Sequence, residues 1–277
     1  MTQNKNLNIM KKIVSLLIVL LFVISCSTVP ITGRKRLNVV SDSQILPASF
    51  AQYEGFLKEN KISTNSIKTN QLKEVGTNIS RAVDKFMRAN GMVSEADNYR
   101  WEFNLIEDKN INAWALPGGK VVFYTGILPI LENTDGMAAV MGHEIAHAFA
   151  KHGQERMTTG MLQQAGGLAV ALSTNNKDSR TQQIWNTAFG IGSGLGVLAF
   201  SRTHETEADK LGLVFMTMAG YNPEEAINVW IRMSELNTAK KPPEFLSTHP
   251  SNETRIKTLK AYLPEAKTLA NKYNASN

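Results

Sequence analysis

The chain has 277 residues, of which 30 are Lys or Arg and 24 are Asp or Glu, so its formal net charge is +6. Residues 1–25 contain three lysines and no acidic residue, and the chain without them has a net charge of +3. The basic residues form no dense cluster beyond Arg34-Lys35-Arg36 and do not alternate with aromatic residues, which excludes nucleic acid as an expected partner.

The N-terminus resembles an export signal. Two lysines precede residues 13–24, which are apolar apart from Ser15, and a small residue then comes before Cys26. This pattern is typical of a secretory signal, and the apolar run is too short to span a bilayer comfortably. The last residues also resemble a bacterial lipobox, so we expect residues 1–25 to be a lipoprotein signal peptide and Cys26 to be lipidated. The alternative is a free cysteine in an uncleaved anchor helix.

Both alternatives export the protein and attach it to a membrane. Ser27, in place of an acidic residue, resembles a sorting signal for the outer membrane, so we expect a lipid-anchored protein on the periplasmic face of a bacterial outer membrane. Cys26 is the only cysteine, so the mature chain can form no internal disulfide and depends on its hydrophobic core for stability.

The rest of the chain fits one domain. Residues 26–42 are expected to be a lipidated N-terminus and linker, and residues 43–277 a single domain. Apolar periodicity and turn residues predict helices at 43–60, 67–90 and 135–152, and strands at 101–106 and on both sides of a Pro-Gly-Gly turn within 112–125. We therefore expect an α+β fold that is mainly helical, with a small sheet beside helix 135–152.

Helix 135–152 contains His143-Glu144-Ile145-Ala146-His147. At about 100° per residue, the two imidazoles lie about 40° apart on the helix, so they can bind one metal ion together. Glu144 lies at the edge of that face, where it can act on a water molecule without binding the metal. This H-E-x-x-H arrangement is typical of zinc peptidases, with the two histidines as ligands and the glutamate as general base.

A catalytic zinc needs a third protein ligand. One known pattern would require Gly at position 150 and His at position 153, but these positions hold Ala150 and Gly153. The other pattern has a Glu on a second helix and an Asp one turn later, and Glu205 and Asp209 have this spacing. We expect Glu205 to bind zinc and Asp209 to accept the free N–H of a ligand imidazole.

Three nearby side chains are expected to play no part in the site. Glu207 is about 200° from Glu205 on a helix and should point elsewhere. His204 is the local rival to Glu205, but it has no carboxylate one turn away, so we interpret it as a solvent or packing residue. His152 is expected to face away from His143, near the end of the zinc helix, and is interpreted as structural.

These motifs together resemble the membrane-associated gluzincin peptidases, a family that includes the CAAX prenyl proteases, HtpX, and the periplasmic lipoproteins LoiP and BepA. The resemblance extends over about residues 40–262 and includes the segments around Asn112 and His249. It implies a zincin-type domain with Zn2+ as cofactor. The likeness is closest in type to LoiP and BepA, without the helical-repeat tail of BepA, since no internal repeat is present.

The resemblance also assigns roles to two outer segments. It implies that Asn112 and Ala113 offer backbone groups to a substrate bound as an added strand, while the alternative is an ordinary hairpin that packs against the zinc helix. It implies that His249 and Arg255 supply positive charge near the oxyanion. His249 has two alternatives: it could close the open position of the zinc in a resting state, or be an ordinary loop residue.

Residues 160–200 contain two short, small-residue apolar runs, which we interpret as a mobile amphipathic lid over the cleft, with contact to a membrane surface as an alternative. The expected function is a zinc-dependent endopeptidase that degrades misfolded or unassembled envelope proteins. The alternative is a zinc-stabilised chaperone or assembly factor for outer-membrane proteins that cleaves little or nothing.

Overall fold

The computed structural model describes residues 26–37, 39–168, 200–236, 243–249 and 253–275. The predicted signal peptide at residues 1–25 and most of the predicted lid at 160–200 lie outside the described residues. The fold is α+β and mainly helical, as the sequence predicts. The strands are β1 (Cys26–Thr28), β2 (Lys35–Leu37), β3 (Glu102–Ile106), β4 (Ala113–Leu116) and β5 (Lys120–Tyr124). The helices are α1 (Asp42–Glu59), α2 (Ser66–Ala89), α3 (Val93–Ala96), α4 (Leu128–Leu131), α5 (Thr134–Phe149), α6 (His152–Leu168), α7 (Arg202–Met218), α8 (Glu224–Leu236), α9 (Glu244–Thr248) and α10 (Glu253–Ala275).

A three-stranded sheet lies beside α5. Its strand order is β3-β5-β4, with β3 parallel and β4 antiparallel to β5. The predicted Pro-Gly-Gly turn joins β4 to β5, and Gly119 adopts a φ of +87° there, which favours glycine. A Cβ atom on Gly119 would also lie 2.6 Å from the ring of Trp101. Strand β4 is therefore an outer strand held in a fixed register next to the zinc-motif helix.

Helix α5 is buried on every side. All residues from Gly136 to Phe149 are buried, because α2, α7 and α8 pack around the helix. A helix that is apolar all round belongs in a protein interior. The polar residues His143, Glu144 and His147 are thus surrounded by core, and their polar atoms need partners inside the protein.

Helices α5 and α7 approach each other closely at two glycines. A Cβ atom on Gly142 would lie 2.9 Å from the backbone oxygen of Gly212, and a Cβ atom on Gly212 would lie 2.9 Å from the backbone nitrogen of His143. No larger residue fits at either position unless the helices separate. The two glycines therefore set the distance between the helix that carries His143 and the helix that carries Glu205.

Residues 26–37 differ from the predicted linker. Strands β1 and β2 form an antiparallel hairpin, and Val29 in its turn is fully buried in the main core. Arg34 in the same turn forms ion pairs with Glu155 of α6 and Glu207 of α7, both at 2.6 Å. Pro30, Gly33 and the three basic residues 34–36 are typical of an exposed tether, but burial of Val29 and these ion pairs attach the segment to the domain.

The zinc-motif helix ends earlier than predicted. Helix α5 ends at Phe149, Lys151 has a φ of +57°, and α6 begins at His152. The single helix predicted over residues 135–152 is therefore wrong. A left-handed non-glycine residue is uncommon, and here the buried Lys151 ammonium is fixed by Asp42 Oδ2 at 2.8 Å. This break changes the direction of every side chain from position 152 onward.

None of the helices in the described part of the chain combines the length and the apolar character that crossing a bilayer requires.

Candidate active site

Four side chains bring metal-binding atoms together between α5, α7 and the end of α9. His143, His147, Glu205 and His249 each offer one such atom, and these atoms all lie within 4.8 Å of one another. All four residues are buried. Helix α5 supplies the two histidines one turn apart, α7 supplies Glu205 in its first turn, and the residue after α9 supplies His249.

The distances between these atoms fit a zinc ion. His147 Nε2 lies 3.0 Å from His143 Nε2 and 3.3 Å from Glu205 Oε1, and His143 Nε2 lies 3.6 Å from Glu205 Oε2. Ligands at the usual zinc distances and tetrahedral angles would lie roughly 3.3–3.6 Å apart. Two imidazoles and a carboxylate are also the donor set of a catalytic zinc. The predicted ligand residues are thus brought together by the fold.

The protonation states of these residues suit metal binding. Burial lowers the pKa of both His143 and His147 well below the usual value, so both rings are neutral. Burial opposes the charge on Glu205, but His249 and Arg255 outweigh it and hold the pKa of Glu205 well below its usual value. The site therefore presents neutral imidazoles and an ionised carboxylate, which are the forms that bind zinc.

Glu144 has the properties of a general base. It is 1% exposed, and burial raises the pKa of its carboxyl group to about 7. Its Oε1 atom has no hydrogen-bond partner among the described residues, and His249 Nε2 lies 3.6 Å from it. A buried polar atom without a partner is uncommon outside functional sites. A pKa near neutrality is suited to accepting and returning a proton.

Asp209 and Arg255 support the ligands. Asp209 Oδ1 lies 3.0 Å from His143 Nδ1, so it can accept the ring N–H, as expected of this residue. Arg255 donates to both Asp209 oxygens at 2.7 Å and lies 2.9 Å from Glu205 Oε2. Its guanidinium also covers the ring of Trp230 at 3.4 Å. Arg255 thus contacts the carboxylates around the site, and the role beside the oxyanion that the resemblance implies stays a prediction.

His249 lies among the metal-binding atoms. Its Nδ1 atom is 2.9 Å from Glu205 Oε1 and 3.2 Å from His143 Nε2. Burial opposes its charged form, but Glu205 and Glu144 outweigh burial and raise the pKa of His249. Of the three alternatives for this residue, the ordinary loop histidine does not fit this position. The geometry accommodates both a fourth metal ligand and a donor beside the reacting groups.

The outer edge of β4 reaches the site through Glu144. Glu144 accepts a backbone hydrogen bond from Ala115. The carbonyl of Asn112 accepts from Tyr124 N–H of β5 at 3.0 Å. Partners alternate along an antiparallel strand, so the backbone groups of Ala113 and Ala115 point to the other side. The Asn112 carbonyl is thus committed within the sheet, and the expectation that Asn112 and Ala113 offer backbone groups to a substrate stays a prediction.

His152 and Glu207, which were expected to play no part in the site, lie next to the metal-binding group. His152 is fully buried and its Nδ1 atom lies 2.8 Å from His147 Nδ1, while its Nε2 atom lies 2.9 Å from Glu207 Oε2. Burial lowers the pKa of His152 to about 4. A continuous helix through position 152 would direct His152 away from His143, but the break at Lys151 turns the His152 ring towards His147. His204 is outside the metal-binding group and lies 3.3 Å from Glu155.

Comparison with known proteins assigns the chain to a family. A family model described as Peptidase family M48 matches residues 73–263. The chain is 35% identical over 240 residues to the mitochondrial metalloendopeptidase OMA1 of Schizosaccharomyces pombe, covering 86% of this chain and 66% of that protein. It is 27% identical over 262 residues to human mitochondrial OMA1, covering 91% of this chain and 48% of that protein. The chain is 30% identical over 175 residues to a putative beta-barrel assembly-enhancing protease of Vibrio cholerae, covering 60% of this chain and 35% of that protein.

These matches correct the predicted location. The relatives that cover 86% and 91% of the chain are mitochondrial endopeptidases, so the expected location on the periplasmic face of a bacterial outer membrane is wrong. The chain spans from about a third to about two thirds of the length of these relatives. The family match includes every residue of the metal-binding group, and the chain therefore belongs to peptidase family M48 and contains a zinc metalloendopeptidase domain.

Proposed function

We propose that this domain is an endopeptidase that cuts extended segments of misfolded or unassembled proteins, with His143, His147 and Glu205 as zinc ligands and Glu144 as general base. The observation that carries the proposal is the unpartnered Oε1 atom of the buried Glu144, next to the metal-binding group. A site that only stored a structural metal would have no need of this carboxylate, and keeping one of its buried oxygens without a hydrogen-bond donor costs stability.

The residues divide the work of peptide hydrolysis. When bound, zinc supplies Lewis acidity towards the scissile carbonyl and the attacking water. Glu144 accepts the proton of that water and returns it to the leaving amine, a role that its raised pKa of about 7 supports. Asp209 holds the ring of His143, and Arg255 holds Asp209 and Glu205 in place. His249 can donate to developing negative charge through Nε2, the nitrogen that faces Glu144.

The substrate would add to the outer edge of β4 as an extended strand. The backbone groups of Ala113 point away from β5 but are buried, so a substrate strand would pair with them only after displacing the groups that cover them. The hydrogen bond between Ala115 and Glu144 connects this edge to the general base. Backbone hydrogen bonds do not depend on the side chains of the substrate, so this edge could bind unfolded segments of many sequences. A folded protein would have to expose such a segment first, which is the reason for proposing misfolded or unassembled substrates.

Glu144→Gln tests the chemistry. We expect the variant to bind zinc like the wild type but to cleave a fluorescently labelled, unfolded test protein at least 100-fold more slowly, the lower end of the usual general-base contribution of about 10²–10⁴. Glu74→Gln on the exposed face of α2 is the matched control and should keep full activity. Cleavage by Glu144→Gln at the wild-type rate would refute the mechanism. If neither protein cleaves but both suppress aggregation equally, the chaperone alternative is correct.

Ala113→Pro tests the substrate edge. Proline removes the outward N–H of Ala113 while the hydrogen bonds to β5 come from its neighbours. Ala113 is buried in the core, so urea unfolding must first show that the variant folds. We expect a higher KM for the unfolded test protein with an unchanged affinity for zinc. Trp114→Pro, one residue along, would remove an N–H that faces β5 and should destabilise the sheet. An unchanged KM for a folded Ala113→Pro variant would argue against strand addition.

Two narrower predictions from the sequence stay predictions. Lipidation of Cys26 would be detected as a mass increase on the N-terminal peptide of the mature protein. The closer likeness to LoiP and BepA concerns a type within the family, and the zinc chemistry proposed above does not depend on it.

A further inference from the structure

A chain of contacts leads from the metal ligand His147 to the N-terminal hairpin. His147 Nδ1 lies 2.8 Å from His152 Nδ1, and His152 Nε2 lies 2.9 Å from Glu207 Oε2. Glu207 in turn accepts from Arg34 Nε at 2.6 Å and from the hydroxyl of Thr32. The first three residues are buried, and Arg34 and Thr32 belong to the turn between β1 and β2.

These contacts select one tautomer for each histidine. The carboxylate of Glu207 only accepts hydrogen bonds, so His152 must carry its proton on Nε2. His152 Nδ1 is then an acceptor, and His147 must donate to it from Nδ1. The lone pair of His147 is thereby left on Nε2, the atom that lies 3.3 Å from Glu205 and faces the metal-binding group.

The same tautomer of His143, protonated on Nδ1, is favoured by direct contact with a carboxylate. Asp209 Oδ1 lies 3.0 Å from His143 Nδ1, and Arg255 Nη2, which lies 3.1 Å from the same nitrogen, makes its shorter hydrogen bond to Asp209 Oδ1 at 2.7 Å. With Nδ1 donating to Asp209, the lone pair of His143 is on Nε2. Metal-binding histidines usually donate their other N–H to a carboxylate, a backbone carbonyl or water. For His147 the corresponding carboxylate is Glu207, and it acts through the intervening ring of His152.

We propose that His152 and Glu207 are positioning residues that fix the tautomer and orientation of the ligand His147, and that Arg34 of the N-terminal hairpin completes this arrangement. This rests on the proposed metal site. Arg34 and Thr32 lie outside the residues that match the family model, 73–263, so the N-terminal turn adds a support to the metal centre from beyond that region.

A second metal ion is a poorer explanation for the same residues. His152, Glu155 and His204 can bring three metal-binding atoms within 4.8 Å of one another. However, both nitrogens of His152 already contact His147 and Glu207, and both oxygens of Glu155 accept from Arg34 at 2.6 and 2.8 Å. A metal ion would have to displace these contacts beside a guanidinium cation, whereas the positioning role uses them as they are.

The test compares variants at position 152. His152→Leu removes the acceptor for His147 at similar volume, whereas in His152→Asn the side-chain oxygen replaces Nδ1 as acceptor. We expect the Leu variant to bind zinc 10–100-fold more weakly in competition with a fluorescent chelator, the usual effect of losing such a partner, and the Asn variant to recover most of this loss. His204→Leu is the matched control, because the His204 ring stacks on His152 at 4.4 Å but its ion pair is with Glu155 and not with His147, His152 or Glu207. Its zinc affinity should be close to that of the wild type.

A second readout needs no bound metal. Two-bond ¹H–¹⁵N spectra of the metal-free wild type should show His147 protonated on Nδ1, and in folded His152→Leu this preference should weaken. Arg34→Met should cause a smaller loss of zinc affinity in the same direction. A wild-type His147 protonated on Nε2, or equal zinc affinities for the Leu variant and the wild type, would overturn the inference. Failure of the wild type to bind zinc would refute the proposed function instead, and the tautomer measurement would still decide the role of His152.

Discussion

The close backbone contact between α5 and α7 predicts the effect of Gly212→Ala. A Cβ atom at this position would lie 2.9 Å from the backbone nitrogen of His143 and 3.0 Å from the carbonyl carbon of Gly142. Ordinary contacts of this kind begin at 3.4 Å, so α5 and α7 must separate by about 0.5 Å. The atoms in the way belong to the backbone of a buried helix, and no side-chain rotation can relieve the clash.

Two opposing effects determine how Gly212→Ala changes the free energy of unfolding. Overpacking in a core costs about 1–3 kcal/mol, while replacing a helical glycine by alanine gains about 0.5–1 kcal/mol. We therefore expect Gly212→Ala to lower the free energy of unfolding by about 1–2 kcal/mol. Ligand distances in zinc sites tolerate changes of about 0.2 Å, and a separation of about 0.5 Å moves Glu205 on α7 away from the histidines on α5. Zinc affinity should fall by roughly tenfold or more, as it does when metal-supporting residues are lost.

Urea unfolding of the metal-free protein and chelator competition measure the two effects separately. Gly55→Ala is the matched control, because Gly55 lies inside α1 and a Cβ atom there would meet nothing within 4 Å. This control should be more stable than the wild type by about 0.5–1 kcal/mol and should bind zinc normally. If Gly212→Ala is as stable as Gly55→Ala and keeps full zinc affinity, the glycine contact does not set the geometry of the site.

Three further results are expected. Glu205→Ala should bind far less zinc by metal analysis, while His204→Ala keeps a full equivalent; the reverse result would assign the third ligand to His204. His249→Ala should lose zinc faster to a chelator, because it removes one of the four converging atoms, and an unchanged rate would leave His249 without a ligand role. Burial opposes the charge on Glu155, but His204 and Arg34 lower its pKa from 4.5 to about 2, so its stabilising effect is complete above pH 4.5 and is lost as the pH falls towards 2. The stability difference between wild type and Glu155→Gln, measured by urea unfolding of the metal-free proteins, should shrink over that interval, and a constant difference would contradict the pKa.

Local patterns made much of the site predictable. His143 and His147 lie four residues apart on a helix, as do Glu205 and Asp209, and helical geometry alone places each pair on one face. The choice of Glu205 over His204 followed from the carboxylate one turn later. The boundaries of α1 and α2 were also predicted to within one residue, because long amphipathic or capped helices carry their signals in the sequence.

The errors share a different cause. The location was inferred from a short signal-like segment and a likeness to particular lipoproteins, and comparison over most of the chain overturned it. The linker at residues 26–37 became a hairpin because Arg34 finds two carboxylates that are more than 100 residues away in the chain. The role expected of Arg255 stays a prediction, and only packing against Trp230 and Asp209 decides where its guanidinium points.

The sequence by itself determined which groups the centre can use: two imidazoles and a carboxylate as candidate ligands and a second carboxylate as candidate general base, each specified by its spacing on a helix. The tertiary structure decided how these groups are held. Two glycines bring α5 and α7 into backbone contact, and a left-handed turn at Lys151 directs His152 back onto His147. Spacing along one helix is a local property, whereas contacts between elements depend on backbone breaks and packing that no single segment encodes.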